Sequence, residues 1–207
     1  MPLEYEHSFY DFTKKDVIKK IKNLGFTHKG TFLFKVQTFI HPLDVKKTYI
    51  RVRDEGFRVT MTYKLSSDSA FDEEVEVNVD NFDSAIKLLE NIGCKKKYYY
   101  EKIREIWDYK DVEIVFDTNP GNLDRMEVEA KSLKELNKIL KELGLNSKMH
   151  DNSNKYLEIF GIEIPKNLDL KFKSVKKDLL PHVKKNKKEF IELITEQLNK
   201  YKKVIKK

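Results

Sequence analysis

Residues 48–64 read TYIRVRDEGFRVTMTYK, and apolar and polar side chains alternate along both halves of this stretch. In a strand, Ile50 and Val52 would share one face. Arg51 and Arg53 would then lie on the other face. The second half repeats the alternation after the turn signal at 54–56, which contains a glycine. The stretch therefore predicts a β-hairpin with one apolar face and one charged face.

The same period of two recurs along most of the chain up to residue 130. Eight segments are predicted as strands: 3–10, 31–40, 48–53, 57–64, 74–79, 97–107, 112–117 and 125–130. Short turns separate several neighbouring strands, so hairpins and an antiparallel arrangement are expected. Eight such strands are enough to close into a barrel. We therefore predict an α+β fold built on an eight-stranded antiparallel β-barrel flanked by helices.

Three short amphipathic helices are predicted between these strands. They begin after Thr13, after Asp80 or Asn81, and after Ser132, where Glu135 completes a capping box. Their expected ends are glycines that follow the last apolar residues: Gly25, Gly93 and Gly144. Each helix has one apolar face, so each must cover an apolar surface.

The charged face of the sheet has two interpretations. It can line the interior of a closed barrel, or it can face water on an open sheet with cross-strand ion pairs. The residue pattern alone leaves both open. The charges are segregated, however: cations come mainly from the strands at 49–53, 57–64 and 97–107, and carboxylates from those at 3–10, 74–79, 111–117 and 125–130.

Paired carboxylates are the first chemical signal on this face. Three predicted strands carry a Glu-x-Glu motif: Glu4 with Glu6, Glu74 with Glu76, and Glu127 with Glu129. Residues i and i+2 of a strand point to the same side, so the two charges of each pair repel each other. A hard dication relieves this repulsion, and ligation by oxygen alone favours Mg²⁺ or Mn²⁺ over Zn²⁺. Asp117 adds a carboxylate ten residues before Glu127.

Cations at matching strand positions are the second signal. They are Arg51, Arg53, Lys64, Lys102 and Arg104. Phosphate oxygens require such cations, and an arginine can engage two oxygens at once. A dication and these side chains together indicate a polyphosphate site.

Composition limits the class of protein. A chain of 207 residues with 40% hydrophobic content can bury one sizeable core. The single cysteine, Cys94, cannot form an internal disulfide. No apolar run approaches the roughly 20 residues that a bilayer span requires, and the N-terminus lacks a signal-peptide core. A cytoplasmic protein without a membrane span is therefore expected.

The net charge of +7 is unevenly distributed. Residues 165–207 contain 14 lysines and 5 acidic residues, whereas the remainder has 27 basic and 29 acidic residues. Apolar residues recur at helical spacing from Phe190 to Val204, which predicts a helix that docks on the body. Contact with nucleic acid through the lysine-rich face is the minor alternative.

The ordered motifs resemble the CYTH superfamily of triphosphate tunnel metalloenzymes, which includes class IV adenylyl cyclases, thiamine triphosphatases and inorganic triphosphatases. The resemblance rests on seven elements: Glu4-x-Glu6, Tyr49-Ile-Arg51-Val-Arg53, Thr62-x-Lys64, Glu74-x-Glu76, Lys102-x-Arg104, Asp117 and Glu127-x-Glu129. It implies a tunnel domain over residues 1–160, followed by a basic helical extension over 161–207. Because every motif lies upstream of residue 165, deletion of 165–207 is expected to leave the site residues intact.

The resemblance also implies roles for these residues. Metal binding falls to Glu4, Glu6, Asp117, Glu127 and Glu129, with Mg²⁺ or Mn²⁺ as the ion. Phosphate binding falls to Arg51, Arg53, Lys64, Lys102 and Arg104. Catalysis is expected of Lys64, Arg104 and Glu129, and additional tunnel acids are Glu74 and Glu76.

Two positions depart from the family pattern. The first strand of the family usually reads Glu-x-Glu-x-Lys, but Ser8 stands at the lysine position here. The turn before the last acidic strand is also altered and reads DTNPGNLD from Asp117 to Asp124. Loss of the lysine would remove one phosphate contact.

Three functional hypotheses follow from the residues and the resemblance. The leading one is a metal-dependent hydrolase acting on the triphosphate tail of an organic or nucleoside triphosphate, in which the cations stabilise charge on the leaving group. The second is an adenylyl cyclase that makes cyclic AMP and pyrophosphate from ATP. The third is a non-catalytic polyanion-binding protein, which the Ser8 substitution and the basic tail suggest.

Overall fold

The computed structural model describes residues 5–10, 12–43, 48–65, 73–145, 155–163 and 168–206. The eight strands are β1 (Tyr5–Phe9), β2 (Thr27–Ile40), β3 (Thr48–Asp54), β4 (Val59–Leu65), β5 (Glu73–Val79), β6 (Lys95–Tyr109), β7 (Val112–Thr118) and β8 (Arg125–Ala130). The helices are α1 (Lys14–Asn23), α2 (Phe82–Asn91), α3 (Leu133–Leu143), α4 (Lys155–Phe160), α5 (Val175–Leu179) and α6 (Lys187–Val204). A short 3₁₀ turn, Leu180–His182, follows α5.

All eight strands pair antiparallel in one sheet with the order β1-β8-β7-β6-β2-β3-β4-β5. The predicted eight-stranded antiparallel fold with flanking helices is therefore confirmed. Among the described residues, the edge strands β1 and β5 do not pair with each other. The sheet is therefore a curled half-barrel rather than a closed barrel. Strands β2 and β6 extend over 14 and 15 residues, beyond their predicted starts, because they pair with each other along nearly their whole length.

The hairpin between β3 and β4 forms as the alternation predicts. The backbone N–H of Gly56 donates to Asp54 Oδ1 at 2.9 Å, and Gly56 has a φ of +85°, which a side chain would disfavour. Ile50 and Val52 are buried on the outer face of the sheet beneath α2. The arginines of β3 therefore point to the opposite, inner face.

The three predicted helices are present and cover the outer face. Helices α1 and α3 enclose a core with β7 and β8, in which Ile114, Phe116 and Val128 are fully buried. Half of the predicted capping box of α3 is observed, since the Glu135 backbone N–H donates to Ser132 Oγ at 3.2 Å. The Glu135 carboxylate accepts from the Ser132 hydroxyl at 2.8 Å. Helix α1 differs from the expectation, because Thr13 makes no side-chain capping hydrogen bond.

The C-terminal segment, residues 168–206, packs against the same outer face. The rings of Phe172 and Tyr201 stack with centroids 5.1 Å apart, in one buried cluster with Ile103 of β6. Leu170 forms a parallel bridge with Tyr100. Helix α6 is thus docked on the sheet, as the apolar spacing predicts. No helix among the described residues is long and apolar enough to cross a membrane.

Helix α6 also holds the turn between β7 and β8. The Gln197 side chain is 3% exposed and accepts from the backbone N–H of Gly121 at 2.8 Å. Its amide donates to the backbone carbonyls of Asn119 at 3.1 Å and Asn122 at 2.7 Å. The altered turn therefore depends on α6 for its backbone hydrogen bonds, a contact the sequence did not reveal.

We expect Gln197→Ala to lower the free energy of unfolding by about 2–3 kcal/mol, because it leaves buried backbone groups of the turn without partners. Urea denaturation monitored by circular dichroism measures this. Glu196→Ala, one residue earlier on the exposed side of α6, is the matched control and should change stability little. Equal effects of the two variants would contradict the proposed holding role.

Candidate functional site

The inner face of the sheet carries almost all of the predicted site residues. Register and alternation place these side chains there: Glu6, Ser8, Phe34, Arg51, Arg53, Thr60, Thr62, Lys64, Glu74, Glu76, Lys102, Arg104, Glu113, Asp117, Arg125, Glu127 and Glu129. Thr60 and Asp117 are each 0% exposed. This excludes an inner face that is wholly solvated, which was one of the two interpretations of the charged pattern.

Asp117 is the centre of the first group of charges. Lys102 Nζ donates to Asp117 Oδ2 at 2.9 Å, and Arg104 Nε donates to Asp117 Oδ1 at 2.7 Å. Arg104 Nη2 donates to both Asp117 and Glu127. Arg125 Nη2 lies 2.6 Å from Glu127 Oε1 and 3.5 Å from Asp117 Oδ2. Three cations therefore surround one buried carboxylate.

Burial and charge compete at this group. Desolvation raises the pKa of the Asp117 carboxyl, but Lys102 and Arg104 outweigh it and hold that pKa far below its usual range. Desolvation lowers the pKa of Arg104, yet Asp117 and Glu127 more than reverse this and raise it. Lys102 is affected differently, since burial lowers its pKa to about 8 although Asp117 opposes the change.

Phe34 of β2 lies among the cations. Its ring, 2% exposed, has Arg53 Cζ at 5.8 Å, Lys102 Nζ at 5.6 Å and Arg104 Cζ at 5.6 Å from its centroid. An aromatic face attracts cations within about 6 Å of its centroid. Phe34 therefore helps to hold three like charges near one another.

Glu76 of β5 is the centre of a second group. It accepts from Thr62 Oγ1 at 2.7 Å, and it lies 3.4 Å from Arg51 Nη2 and 3.3 Å from Arg53 Nη2. Desolvation raises the pKa of Glu76, but the Thr62 hydrogen bond and the two arginines lower it overall.

Glu74 lies beside this second group. Arg51 Nη2 is 3.7 Å from Glu74 Oε1, and Lys64 Nζ is 3.6 Å from Glu74 Oε2. The pair Glu74 and Glu76 thus forms ion pairs with Arg51, Arg53 and Lys64 of β3 and β4 rather than belonging to the Asp117 group.

Some buried donors on the inner face lack an acceptor from the protein. Arg53 Nε, Arg125 Nε and Thr60 Oγ1 have no hydrogen-bond partner among the described residues. Desolvation and the neighbouring Arg51 also lower the pKa of Arg53. An unsatisfied buried donor is costly. These atoms are shielded from solvent, so a bound anion could satisfy Arg53 or Arg125 only after nearby side chains move to expose them.

Carboxylates form a row across β1, β8 and β7. Glu129 is the register partner of Glu6 on one side and of Glu113 on the other. Directly opposed like charges on neighbouring strands are destabilising. Desolvation raises the pKa of Glu113, and Arg104 only partly opposes this. The row therefore concentrates negative charge beside the cation groups.

The row fits a hard dication by its chemistry, since carboxylate oxygens are the ligands that Mg²⁺ and Mn²⁺ prefer. Within residues 5–10 and the other described ranges, no three acidic, histidine or cysteine side chains stand close enough to hold an ion. Glu4 lies outside the described residues. Asp117 and Glu127, both predicted as metal ligands, form ion pairs with Lys102, Arg104 and Arg125 in this structure.

A cation lies on the strand next to the β1 position where the resemblance expects a lysine. Ser8 is the register partner of Glu127. The guanidinium of Arg125 bonds that same glutamate and lies on the same face. The cation absent at Ser8 is therefore present one strand away.

Sequence reasoning missed three members of the site: Phe34, Glu113 and Arg125. A signal existed for two of them. Arg125 lies two residues before Glu127, and Glu113 lies four residues before Asp117, so strand alternation puts both on the charged face. Phe34 gave no signal, because an aromatic residue in an apolar strand is ordinarily core.

A curled eight-stranded antiparallel sheet with cations and carboxylates on its inner face defines the triphosphate tunnel class of fold. The chain belongs to the CYTH domain family, whose family model matches residues 4–158. The predicted resemblance is confirmed. Residues beyond 158 lie outside that match.

Related proteins agree with this assignment. A Methanocaldococcus jannaschii protein named "Putative adenylate cyclase" is 28% identical over 164 residues, covering 72% of this chain and 93% of its own. The PH1012 protein of Pyrococcus horikoshii has a similar structure with a TM-score of 0.63 at 23% identity, over 72% of this chain and 94% of its own. A Vibrio parahaemolyticus protein described as "a putative adenylate cyclase" has a similar structure with a TM-score of 0.63 at 16% identity, over 75% of this chain and 98% of its own. The two structures show the fold alone.

Proposed function

We propose that the protein is a divalent-metal-dependent phosphohydrolase acting on the triphosphate tail of an organic or nucleoside triphosphate. The observation that carries this proposal is the gathering of six cations on one partly buried face: Arg51, Arg53, Lys64, Lys102, Arg104 and Arg125. A triphosphate tail is a small, densely charged anion that requires several such groups at once.

The arginines and lysines would bind the phosphate oxygens from two sides. Arg51, Arg53 and Lys64 approach from β3 and β4, and Lys102, Arg104 and Arg125 from β6 and β8. Arg53 Nε and Arg125 Nε have no acceptor among the described residues, and both are shielded from solvent, so a phosphate oxygen would reach them only after neighbouring side chains move. Fixed donors of this kind stabilise charge that develops on the leaving phosphate.

The carboxylate row would hold the dication. Glu6, Glu129 and Glu113 offer register-adjacent oxygen donors, and Glu127 lies one pair away. Glu4 and Asp117 are further family positions. Among the described residues no three of these side chains stand close enough to hold an ion, so they would have to converge around it. Bound there, Mg²⁺ or Mn²⁺ would neutralise phosphate charge and orient water. We assign catalytic roles to Lys64, Arg104 and Glu129 within this proposal, and the family's tunnel metalloenzymes support a dication.

A product assay tests the proposal. ATP, inorganic triphosphate and thiamine triphosphate are incubated separately with Mg²⁺ or Mn²⁺, with chelator as the control, and phosphate, pyrophosphate and cyclic AMP are measured. Metal-dependent phosphate release without cyclic AMP is the expected result. Binding of triphosphate without any turnover would contradict the enzyme proposal and favour a polyanion-binding protein.

An adenylyl cyclase is the second candidate. The name of the Methanocaldococcus jannaschii relative favours it, and the same cations could hold ATP while a ribose hydroxyl attacks the α-phosphate. Cyclic AMP and pyrophosphate in equal amounts would establish this reaction instead.

Triphosphate affinity should fall as pH rises through the lowered pKa of Lys102. Burial lowers this pKa to about 8, so above pH 8 the unliganded site loses the charge of Lys102. The phosphate groups of the ligand, with a last pKa of about 6, are already fully ionised at pH 8. The charged fraction of Lys102 falls from about one half at pH 8 to about one tenth at pH 9, so we expect about fivefold weaker binding at pH 9 by calorimetric titration, at matched ionic strength.

Lys102→Arg is the control for this pH dependence. Arginine keeps its charge over the whole range, so its affinity should change little between pH 8 and 9. A flat wild-type profile, or an equal fall in Lys102→Arg, would show that Lys102 does not titrate against the ligand.

A further inference from the structure

A pocket of about 270 Å³ lies beside the turn that follows β7. Residues from four parts of the chain line it, among them Tyr10, Tyr100, Asn119, Asn122, Leu170 and Leu179. Lys102 and Arg125 also line it. The pocket is therefore continuous with the group of cations around Asp117.

One wall of the pocket comes from outside the family match. Leu170 and Leu179 belong to the C-terminal segment, whereas the CYTH match ends at residue 158. This wall is fixed in place, because the backbone N–H of Leu170 donates to the Tyr99 carbonyl at 3.0 Å and that of Glu101 to the Leu170 carbonyl at 2.9 Å. Gln197 fixes the turn opposite. The pocket is thus built by docking of the C-terminal segment.

The shared cations determine which part of a ligand reaches the pocket. Lys102 and Arg125 line it and also contact Asp117 in the phosphate-binding group. A triphosphate bound by these two side chains would have its organic end next to the pocket. The pocket is a place for the group that distinguishes one triphosphate from another.

Size and lining indicate the kind of group. Whole drug-sized ligands occupy pockets of roughly 300–1,000 Å³, so about 270 Å³ suits a single ring system. Tyrosine rings and leucines offer apolar contact, while Asn119 and Asn122 carry amides that both donate and accept hydrogen bonds. The lining also contains one carboxylate, Glu101, which accepts from the Phe172 backbone N–H at 2.9 Å. Lys102 and Arg125 outnumber it, so the lining charge disfavours a positively charged ring. A neutral heterocycle with hydrogen-bonding edges fits all three properties.

We propose that this pocket, completed by the C-terminal segment, binds the nucleobase of a nucleoside triphosphate. The inference rests on the proposed function, because it takes the phosphate tail to lie on the inner face. It makes the C-terminal segment a determinant of substrate choice that the family portion of the chain does not contain.

Filling the pocket tests the inference. Leu170→Trp should weaken ATP binding at least tenfold and change binding of inorganic triphosphate less than twofold, both measured by calorimetric titration of the full chain. Leu133→Trp is the matched control, since Leu133 is 52% exposed on α3. It should change neither affinity. Equal weakening of both ligands by Leu170→Trp, or no weakening of either, would overturn the inference.

A second variant covers the case in which Leu170→Trp fails to fold. Asn119→Ala removes the pocket amide but keeps the backbone carbonyl that Gln197 binds. It should reduce discrimination between ATP and GTP without changing the affinity for inorganic triphosphate. If Asn119→Ala leaves that discrimination unchanged, the nucleobase does not lie in the pocket.

Two further ligands separate the possible failures. Thiamine triphosphate, whose ring is cationic, should bind no more tightly than inorganic triphosphate, and tighter binding that Leu170→Trp abolishes would overturn the choice of a neutral base. If inorganic triphosphate binds but ATP gains nothing from the pocket, only this inference fails. If wild-type protein binds no triphosphate, the proposed function and the inference both fail.

Discussion

Arg104→Met is expected to lower the free energy of unfolding by about 3–5 kcal/mol and to abolish triphosphate turnover. Asp117 is 0% exposed, and Arg104 gives it two hydrogen bonds while also bonding Glu127. Removing one partner of a buried ion pair leaves charge that the interior cannot solvate. Lys102 remains at 2.9 Å, so the fold should survive at low temperature. Urea denaturation and phosphate release measure the two effects.

Lys131→Met is the control for Arg104→Met. Lys131 pairs with Asp111 at 2.6 Å, but its side chain is 79% exposed, and surface pairs contribute little. It should leave both stability and turnover unchanged. If Arg104→Met were as stable as wild type, Asp117 would not depend on this ion pair. Retained turnover would remove Arg104 from the proposed mechanism.

Glu129→Gln is expected to reduce metal-dependent turnover by roughly 10²-fold or more while stability without metal holds or rises. Glu129 lies between Glu6 and Glu113 in the carboxylate row. Amide substitution keeps the shape but removes a charge that a dication needs, and it relieves repulsion between neighbouring strands. The expected loss is that of other preorganised electrostatic sites. Rates at increasing Mg²⁺ and melting temperatures in chelator measure the two effects.

Glu142→Gln, an equivalent change at an exposed position of α3, is the matched control. It should alter neither rate nor melting temperature, because exposed charge changes rarely exceed about 0.5 kcal/mol. Unchanged turnover in Glu129→Gln would remove this residue from the metal-binding set. A large loss of stability in chelator would instead make Glu129 a structural residue.

The sequence predicted the faces of the strands well, because a period of two depends only on backbone geometry. Ile50 and Val52 are buried outside, and Arg51 and Arg53 lie inside. The sequence did not predict that β2 begins at Thr27. Residues 27–30 do not alternate, and they are in strand structure because they pair with β6.

Partners across the sheet were less predictable than faces. The resemblance placed Glu74 and Glu76 among additional tunnel acids, without indicating their partners. The strand order sets β5 beside β4, so Glu76 binds Arg51 and Arg53. Neighbours in an antiparallel sheet depend on long-range topology, which spacing along the chain does not encode.

The contacts of the C-terminal segment were also out of reach of the sequence. Helical spacing predicted that α6 docks, but not that Gln197 binds three backbone groups of the β7–β8 turn. A buried glutamine in a lysine-rich helix resembles any polar surface residue in the sequence. Burial of Ile103 beneath Phe172 and Tyr201 leads us to expect lower stability when residues 165–207 are deleted.

The most direct test of the central proposal is the melting temperature of the wild-type protein with inorganic triphosphate and Mg²⁺. Ligand at 100 times its dissociation constant stabilises the folded state by about 2.7 kcal/mol, which corresponds to a rise of about 5 °C or more for a chain of this size. AMP with Mg²⁺ should give a much smaller rise, because one phosphate cannot engage both cation groups. The predicted result is a rise of about 5 °C or more with triphosphate and Mg²⁺, and a much smaller rise with AMP and Mg²⁺. No rise with triphosphate would contradict the assignment of the inner face as a triphosphate site.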